Sequence, residues 1–192
     1  MNQHTNMWLD RTLLLLVSLL LCITTVFAIT AHPVHSDKWT DEYDRHFRKY
    51  SKRYFGPLFD WHWFKAQAIA ESNLNENAVS HVGAIGLMQI MPDTFKEINN
   101  KNPHFAEVNK PRWNIAAGIY YDQLLYRKFP NTPEQDRLYL ALASYNAGYG
   151  RILNASRKLN TDAPLWNEVR PYLPGETRGY VARIKKLMGI TG

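Results

Sequence analysis

A chain of 192 residues with 45% hydrophobic and 13% aromatic content is long and apolar enough to bury a core, which excludes a disordered chain and argues for one domain with appendages. The formal net charge is +6, and because Asp10 and Arg11 cancel, the whole excess lies after residue 36. Such a surface favours polyanions (nucleic acid, anionic lipid or an acidic wall polymer) without choosing among them. The single cysteine, Cys22, excludes a disulfide framework and any cysteine nucleophile or metal ligand in the body of the chain.

In chain order, Thr12 to Ala31 is an uncharged stretch of 20 residues with Leu13–Leu16 and Leu19–Leu21 at its heart. It reads either as a secretory signal, with cleavage after Ala28 or Ala31, or as an uncleaved membrane anchor. The basic residues Arg45, Arg48, Lys49, Lys52 and Arg53 follow it at a distance, and export is expected because large domains translocate largely regardless of charge. Cys22 is preceded by Leu21 where a lipoprotein signal has a small residue, so lipidation is not expected. Residues 32–40 read as a linker between this segment, residues 1–31, and a body spanning 41–192. No His-Glu-x-x-His pattern occurs, and His32 and His35 fall in the linker, so no metal and no cofactor are expected.

From Asp41, Tyr43, Phe47, Tyr50 and Tyr54 recur at spacings of four, three and four, an amphipathic helix whose interleaved cations form a solvated face. Gly56-Pro57 breaks it. Asp60 is an N-cap candidate for a second helix with Trp61, Phe64 and Ala68 on one face, ending near Glu71–Leu74 in an asparagine-rich loop. "SHVGAIGLMQIMP" is a glycine-punctuated turn, after which Pro92 and Asp93 open another helix. Trp113 to Phe129 has helical periodicity. Thr132-Pro133-Glu134-Gln135 reads as a capping box for a helix through Tyr145, which Asn146-Ala147-Gly148 stops. Helices over Arg151–Leu159 and Thr177–Met188 complete a mainly α body with no strand of convincing length.

Within this body one local pattern invites chemistry: the apolar run Ala66, Ala68, Ile69, Ala70 ends on a carboxylate, Glu71. A carboxyl at a helix C-terminus faces the negative end of the macrodipole, and apolar neighbours desolvate it; both effects raise its pKa towards the range a general acid needs. An exposed terminal glutamate with an ordinary pKa is the competing reading of that segment alone.

Four motifs in order supply the wider context: Glu71-Ser72, Gly86-Leu87-Met88-Gln89-Ile90-Met91-Pro92, Ala143-Ser144-Tyr145-Asn146-Ala147-Gly148, and Glu176-Thr177-Arg178-Gly179-Tyr180-Val181. Over residues 41–189 the chain resembles the catalytic domain of the soluble-lytic-transglycosylase-like family, a branch of the lysozyme-like α+β superfamily. The resemblance implies a single compact helical domain with a glycan-binding cleft. It implies a monomer that cleaves the β-1,4 bond between N-acetylmuramic acid and N-acetylglucosamine in peptidoglycan, leaving a 1,6-anhydro ring.

Glu71 matches the family's single acid/base, while Ser80, Met88, Gln89, Tyr145, Asn146 and Tyr180 match positions that bind substrate or hold the acid. Ser80 could instead be a turn former, Met88 and Tyr180 core residues, and Asn146 a helix cap. Ser144 stands where alanine is common. Candidates for a second carboxylate are Glu76, Asp93 and Glu97. The implied partner is the peptidoglycan strand, in the periplasm or on the outer face of the inner membrane, with membrane association through Thr12–Ala31. Two alternatives remain: a hydrolytic muramidase, or a tethered wall-binding factor that does not cut. Nucleic acid is discounted, since only net charge favours it.

Overall fold

The computed structural model describes residues 33–105 and 107–190. The Thr12–Ala31 segment lies outside the described residues; among those described, no helix is long and apolar enough to cross a membrane. The helices are α1 (Asp44–Phe55), α2 (His62–Ser72), α3 (Pro92–Lys101), α4 (Pro111–Tyr126), α5 (Glu134–Ala147), α6 (Tyr149–Arg157), α7 (Trp166–Val169) and α8 (Gly175–Leu187), with 3-10 turns at Pro33–His35 and Arg170–Tyr172. Among the described residues the only β pairing is two isolated antiparallel bridges, Val79 with Ile85 and Ile85 with Ile90. The mainly α expectation holds.

Local chemistry accounts for most helix ends. Phe47 and Tyr50 turn inward from α1, which Gly56 terminates at φ 99°. Trp61 stands at the N-cap of α2 with no side-chain cap bond, one residue beyond the expected Asp60, whose Oδ1 accepts the backbone N–H of the first helical residue, His62, at 3.0 Å. Pro92 opens α3. Gly148, at φ 83°, stops α5 and leads directly into α6. The expected capping box before α5 does not form: Thr132 is buried and its hydroxyl donates to the Pro164 carbonyl at 3.3 Å, while Pro133 sits outside the first helical residue. A tertiary contact has taken the side chain that would have capped the helix.

The linker expected over residues 32–40 is partly built into the body, since Val34 in the first 3-10 turn is fully buried. The single inward face expected for α2 understates its burial: Trp63 through Ile69 are all buried. The cause is its position, with α1, α8 and the first 3-10 turn packed around it. Lys65 survives there because its ammonium meets Asp44 of α1 at 2.7 Å. In α5, Leu138 through Ser144 are likewise buried. These two helices are the most buried, and the C-terminus of α2 meets the loop 73–91 that carries the glycine-rich motif through the Ser72–Leu87 contact.

Candidate active site

The end of α2 is held from three directions. Asn73 and Leu74 adopt left-handed conformations at φ 55° and 61°, which turns the chain sharply away from the helix. Ser72 Oγ lies 2.9 Å from the Leu87 carbonyl of the glycine-rich loop and 3.2 Å from Ala68 O. Arg183 of α8 donates to the Ile69 carbonyl at 3.2 Å, to Ala70 O at 3.3 Å and to Asn73 Oδ1 at 2.7 Å. A cation thereby sits at the negative end of the helix, adding a second donor to Ile69 O, which already accepts Asn73 N–H at 3.0 Å, and a donor to Ala70 O.

Glu71 sits on this last turn. Tyr180 Oη donates to Glu71 Oε1 at 2.6 Å. Burial pushes the Glu71 carboxyl from its ordinary 4.5 up to about 7, against the Tyr180 hydrogen bond and the Arg183 charge, which both pull it down. Burial also drives the Tyr180 phenol well above its usual range, reinforced by the charge of Glu71 and the bond to it, so Tyr180 remains an O–H donor.

The loop facing Glu71 is organised by Asn114, a side chain 1% exposed on α4. Its Oδ1 accepts Met88 N–H at 2.7 Å and its Nδ2 donates to Ile85 O and Val108 O, both at 2.8 Å. Gly86, at φ 76°, lies so close that a Cβ there would stand 2.6 Å from Asn114 Nδ2. The glycine is required both by its conformation and by the close approach.

The remaining candidates take varied places. Tyr145 Oη donates to Met88 O at 2.7 Å, and its ring meets Tyr121 edge-on at 5.5 Å. It therefore braces the loop that faces Glu71. Met88, expected along the cleft, is fully buried and packs on Gly118, so it offers no side-chain surface to a sugar. Gln89, at φ 45°, donates within its loop to Gly86 O at 3.0 Å and Ala78 O at 3.2 Å. Ser80 Oγ accepts Ala84 N–H at 2.9 Å, a turn contact, yet the residue stays partly exposed. Asn146 is partly exposed at the end of α5.

The sequence reading missed Gln67, Asn114, Asp122 and Arg183. Asp122 is 1% exposed and accepts from Gln67 Nε2 at 3.2 Å. The available signal was a polar side chain inside an otherwise apolar helical stretch. Of the second carboxylates considered, Asp93 and Glu97 are exposed on α3, and Glu76 lines a separate recess with Asn77, Val79 and Lys110. Among the described residues no cluster of His, Cys, Asp or Glu could hold a metal ion.

Comparison with known proteins places this geometry. The sequence pattern described as "Transglycosylase SLT domain" matches residues 49–164, a stretch that contains Glu71 through Asn146. The membrane-bound lytic murein transglycosylase F of Yersinia enterocolitica is 38% identical over 132 residues, and that of Mannheimia succiniciproducens 36% over 126 residues. These matches cover 62% and 64% of this chain but 26% and 25% of the relatives, so the chain spans about a quarter of their length. Among solved structures, the 70 kDa soluble lytic transglycosylase SLT70 of Escherichia coli superposes with a TM-score of 0.65 at 28% identity, covering 79% of this chain and 24% of that one. With more than half of its length matched by the family pattern and its fold matched over most of its length, the chain belongs to the transglycosylase SLT domain family.

Proposed function

We propose that this protein is an exported lytic transglycosylase that cuts the β-1,4 bond between N-acetylmuramic acid and N-acetylglucosamine in peptidoglycan. The observation that carries this reading is the Glu71 carboxyl, raised to about 7 by burial and held by the Tyr180 hydroxyl at 2.6 Å. A carboxyl poised near neutrality can give a proton at one step and take one at the next.

In the first step Glu71 protonates the glycosidic oxygen, and the C1–O4 bond breaks with oxocarbenium character at C1. The glutamate, now a carboxylate, takes the proton of the muramoyl C6 hydroxyl, whose oxygen bonds to C1 and closes the 1,6-anhydro ring. The proton count returns to its start and no water is consumed. Tyr180 orients the carboxyl and hydrogen-bonds its charged form. Tyr145 and Asn114 hold the facing loop through Met88, and the partly exposed Asn146, Ser80 and Gln89 lie within the matched stretch as sugar-contact candidates.

One feature favours this over plain hydrolysis. Glu71's buried carboxyl neighbour, Asp122, is 1% exposed and cannot reach a sugar or an attacking water as a second catalytic carboxylate would. The test is Glu71→Gln on purified sacculi with mass spectrometry of the parent's products. Clearance should fall by about 10²-fold or more in the variant, and the parent's muramic acid ends should be lighter by one water. Reducing ends would point to a muramidase, and equal clearance by the variant to a wall-binding protein.

A further inference from the structure

The fourth motif, Glu176 to Val181, brings Tyr180 to Glu71 and leaves Arg178 without a role there. With 3.6 residues per turn, Arg178, Ala182 and Lys185 fall on the face of α8 opposite Tyr180 and Arg183. That far face forms one wall of a recess of about 440 Å³, whose other walls are Trp166 of α7, Arg170 and Pro171 of the second 3-10 turn, and Ile190. Its volume is that of a ligand site.

Three cations therefore share one hollow, and no acidic residue among the described ones lines it. The ion pairs among the described residues are His62–Asp60 and Lys65–Asp44, and neither involves a cation of this recess. Carboxylates on the neighbouring elements are engaged elsewhere. Asp136 Oδ1 accepts the Trp166 N–H at 2.8 Å, and Glu168 Oε2 accepts the Leu165 N–H at 3.3 Å. Glu176 falls on the Tyr180 side of α8. Like charges gathered without a counter-charge repel one another, and an anion seated between them offsets that repulsion.

The spacing of the cations selects the kind of anion. The Lys185 ammonium lies 5.1 Å from the centre of the Tyr139 ring, which itself meets Trp166 edge-on at 6.2 Å. Arg178 leans the other way along the helix, its Nη2 standing 3.9 Å from where a Cβ on Gly175 would be. Seven residues of helix separate the two stems by about 10 Å. A lone phosphate is too compact to serve both ends. Two carboxylates about three residues apart on an extended peptide span the same distance. Between the cations, Trp166, Pro171 and Ile190 offer apolar surface to the small side chains in between.

We propose that this recess is a peptide exosite, binding a short extended peptide with carboxylates about three residues apart, as on the acidic peptide stems of the wall polymer, on the side of α8 away from Glu71. The wall as the source of the peptide rests on the proposed function; the acidic-peptide site itself does not.

The deciding experiment is calorimetric titration of the full chain with a stem peptide freed of its sugars, in about 0.1 M salt. The proteins compared are the parent, Glu71→Gln, Arg178→Gln/Lys185→Gln, and Arg45→Gln/Lys49→Gln, which removes the same charge from α1. The parent, Glu71→Gln and the α1 variant should bind alike. The α8 variant should bind at least about tenfold more weakly, as should the parent towards the same peptide with its carboxyls amidated. If the α8 variant melts early, Arg170→Gln on the opposite wall supplies the same weakening independently. Equal binding by the two double variants, or no binding by the parent, would overturn the exosite. So would inorganic phosphate displacing the peptide at equal concentration, or retention of the parent by phosphatidylglycerol vesicles in preference to the peptide, since either makes this a phosphate site. Binding needs no turnover: a parent that holds the peptide but clears no sacculi keeps the exosite and sinks the reaction, and one that releases anhydro ends without holding it sinks the exosite alone.

Discussion

At Glu71 two opposing local effects meet, and the structure decides their balance. The end of the helix disfavours a negative charge there, while Arg183 occupies that end and pulls the carboxyl down; burial is what raises it to about 7. The folded state therefore binds this proton more tightly than the unfolded chain does. Below the ordinary 4.5 both states are protonated and nothing is lost. As pH rises from there through about 7, the native state is progressively penalised, reaching about 3 kcal/mol. Glu71→Gln removes the ionisation, so urea unfolding should find the variant more stable than the parent by up to about 3 kcal/mol at pH 8 and equal to it at pH 4. Equal stabilities at both pH values would mean that Glu71 is not desolvated. The glutamate was legible as a candidate from its apolar lead-in; the phenol that holds it was legible only as a motif match.

For α2 as an element, periodicity suggested one buried face, whereas helices that arrive much later in the chain enclose it. The exposed Arg183 guanidinium is the clearest case, reaching three acceptors at the end of α2 from a residue more than a hundred positions away. Arg183→Ala should cost about 1 kcal/mol of stability, a figure kept low because the side chain is largely solvated. It should also loosen the turn that carries Glu71, lowering clearance more than stability, and it should raise the pH at which clearance declines because a cation that favours the charged form is gone. Thermal unfolding and a pH–rate profile measure the two effects separately. An unchanged profile would assign Arg183 a purely structural role. Gly86 was readable as a turn residue; its further constraint, Asn114 pressed against its Cα, was not.

On the scale of the whole molecule, the +6 charge lies after residue 36 and therefore on the body that was described. Arg45, Lys49 and Arg112 gather around His46 between α1 and α4, and their charges, after burial, hold its imidazole below its usual range. If the partner is an acidic wall polymer, this face accelerates encounter and is screened over about 10 Å at 0.1 M salt. Charge reversal of Arg45 and Lys49 should weaken sacculus binding at low salt, flatten its salt dependence, and leave the melting temperature nearly unchanged. Identical salt curves for variant and parent would remove this face from the encounter.

The sequence by itself determined the helical class, most helix ends, the glycine-rich turn and Glu71 as the candidate acid, because periodicity, caps and turn residues act over a few neighbouring positions. The tertiary structure alone decided that Met88 is buried, that Thr132 bonds to Pro164 instead of capping α5, that Arg183 sits at the end of α2, and that Gln67 meets Asp122. The last contact joins residues 55 apart, and the Tyr180–Glu71 bond joins residues 109 apart. Desolvation, which sets the protonation of Glu71, depends on everything packed around a group, and no local pattern in the chain records that.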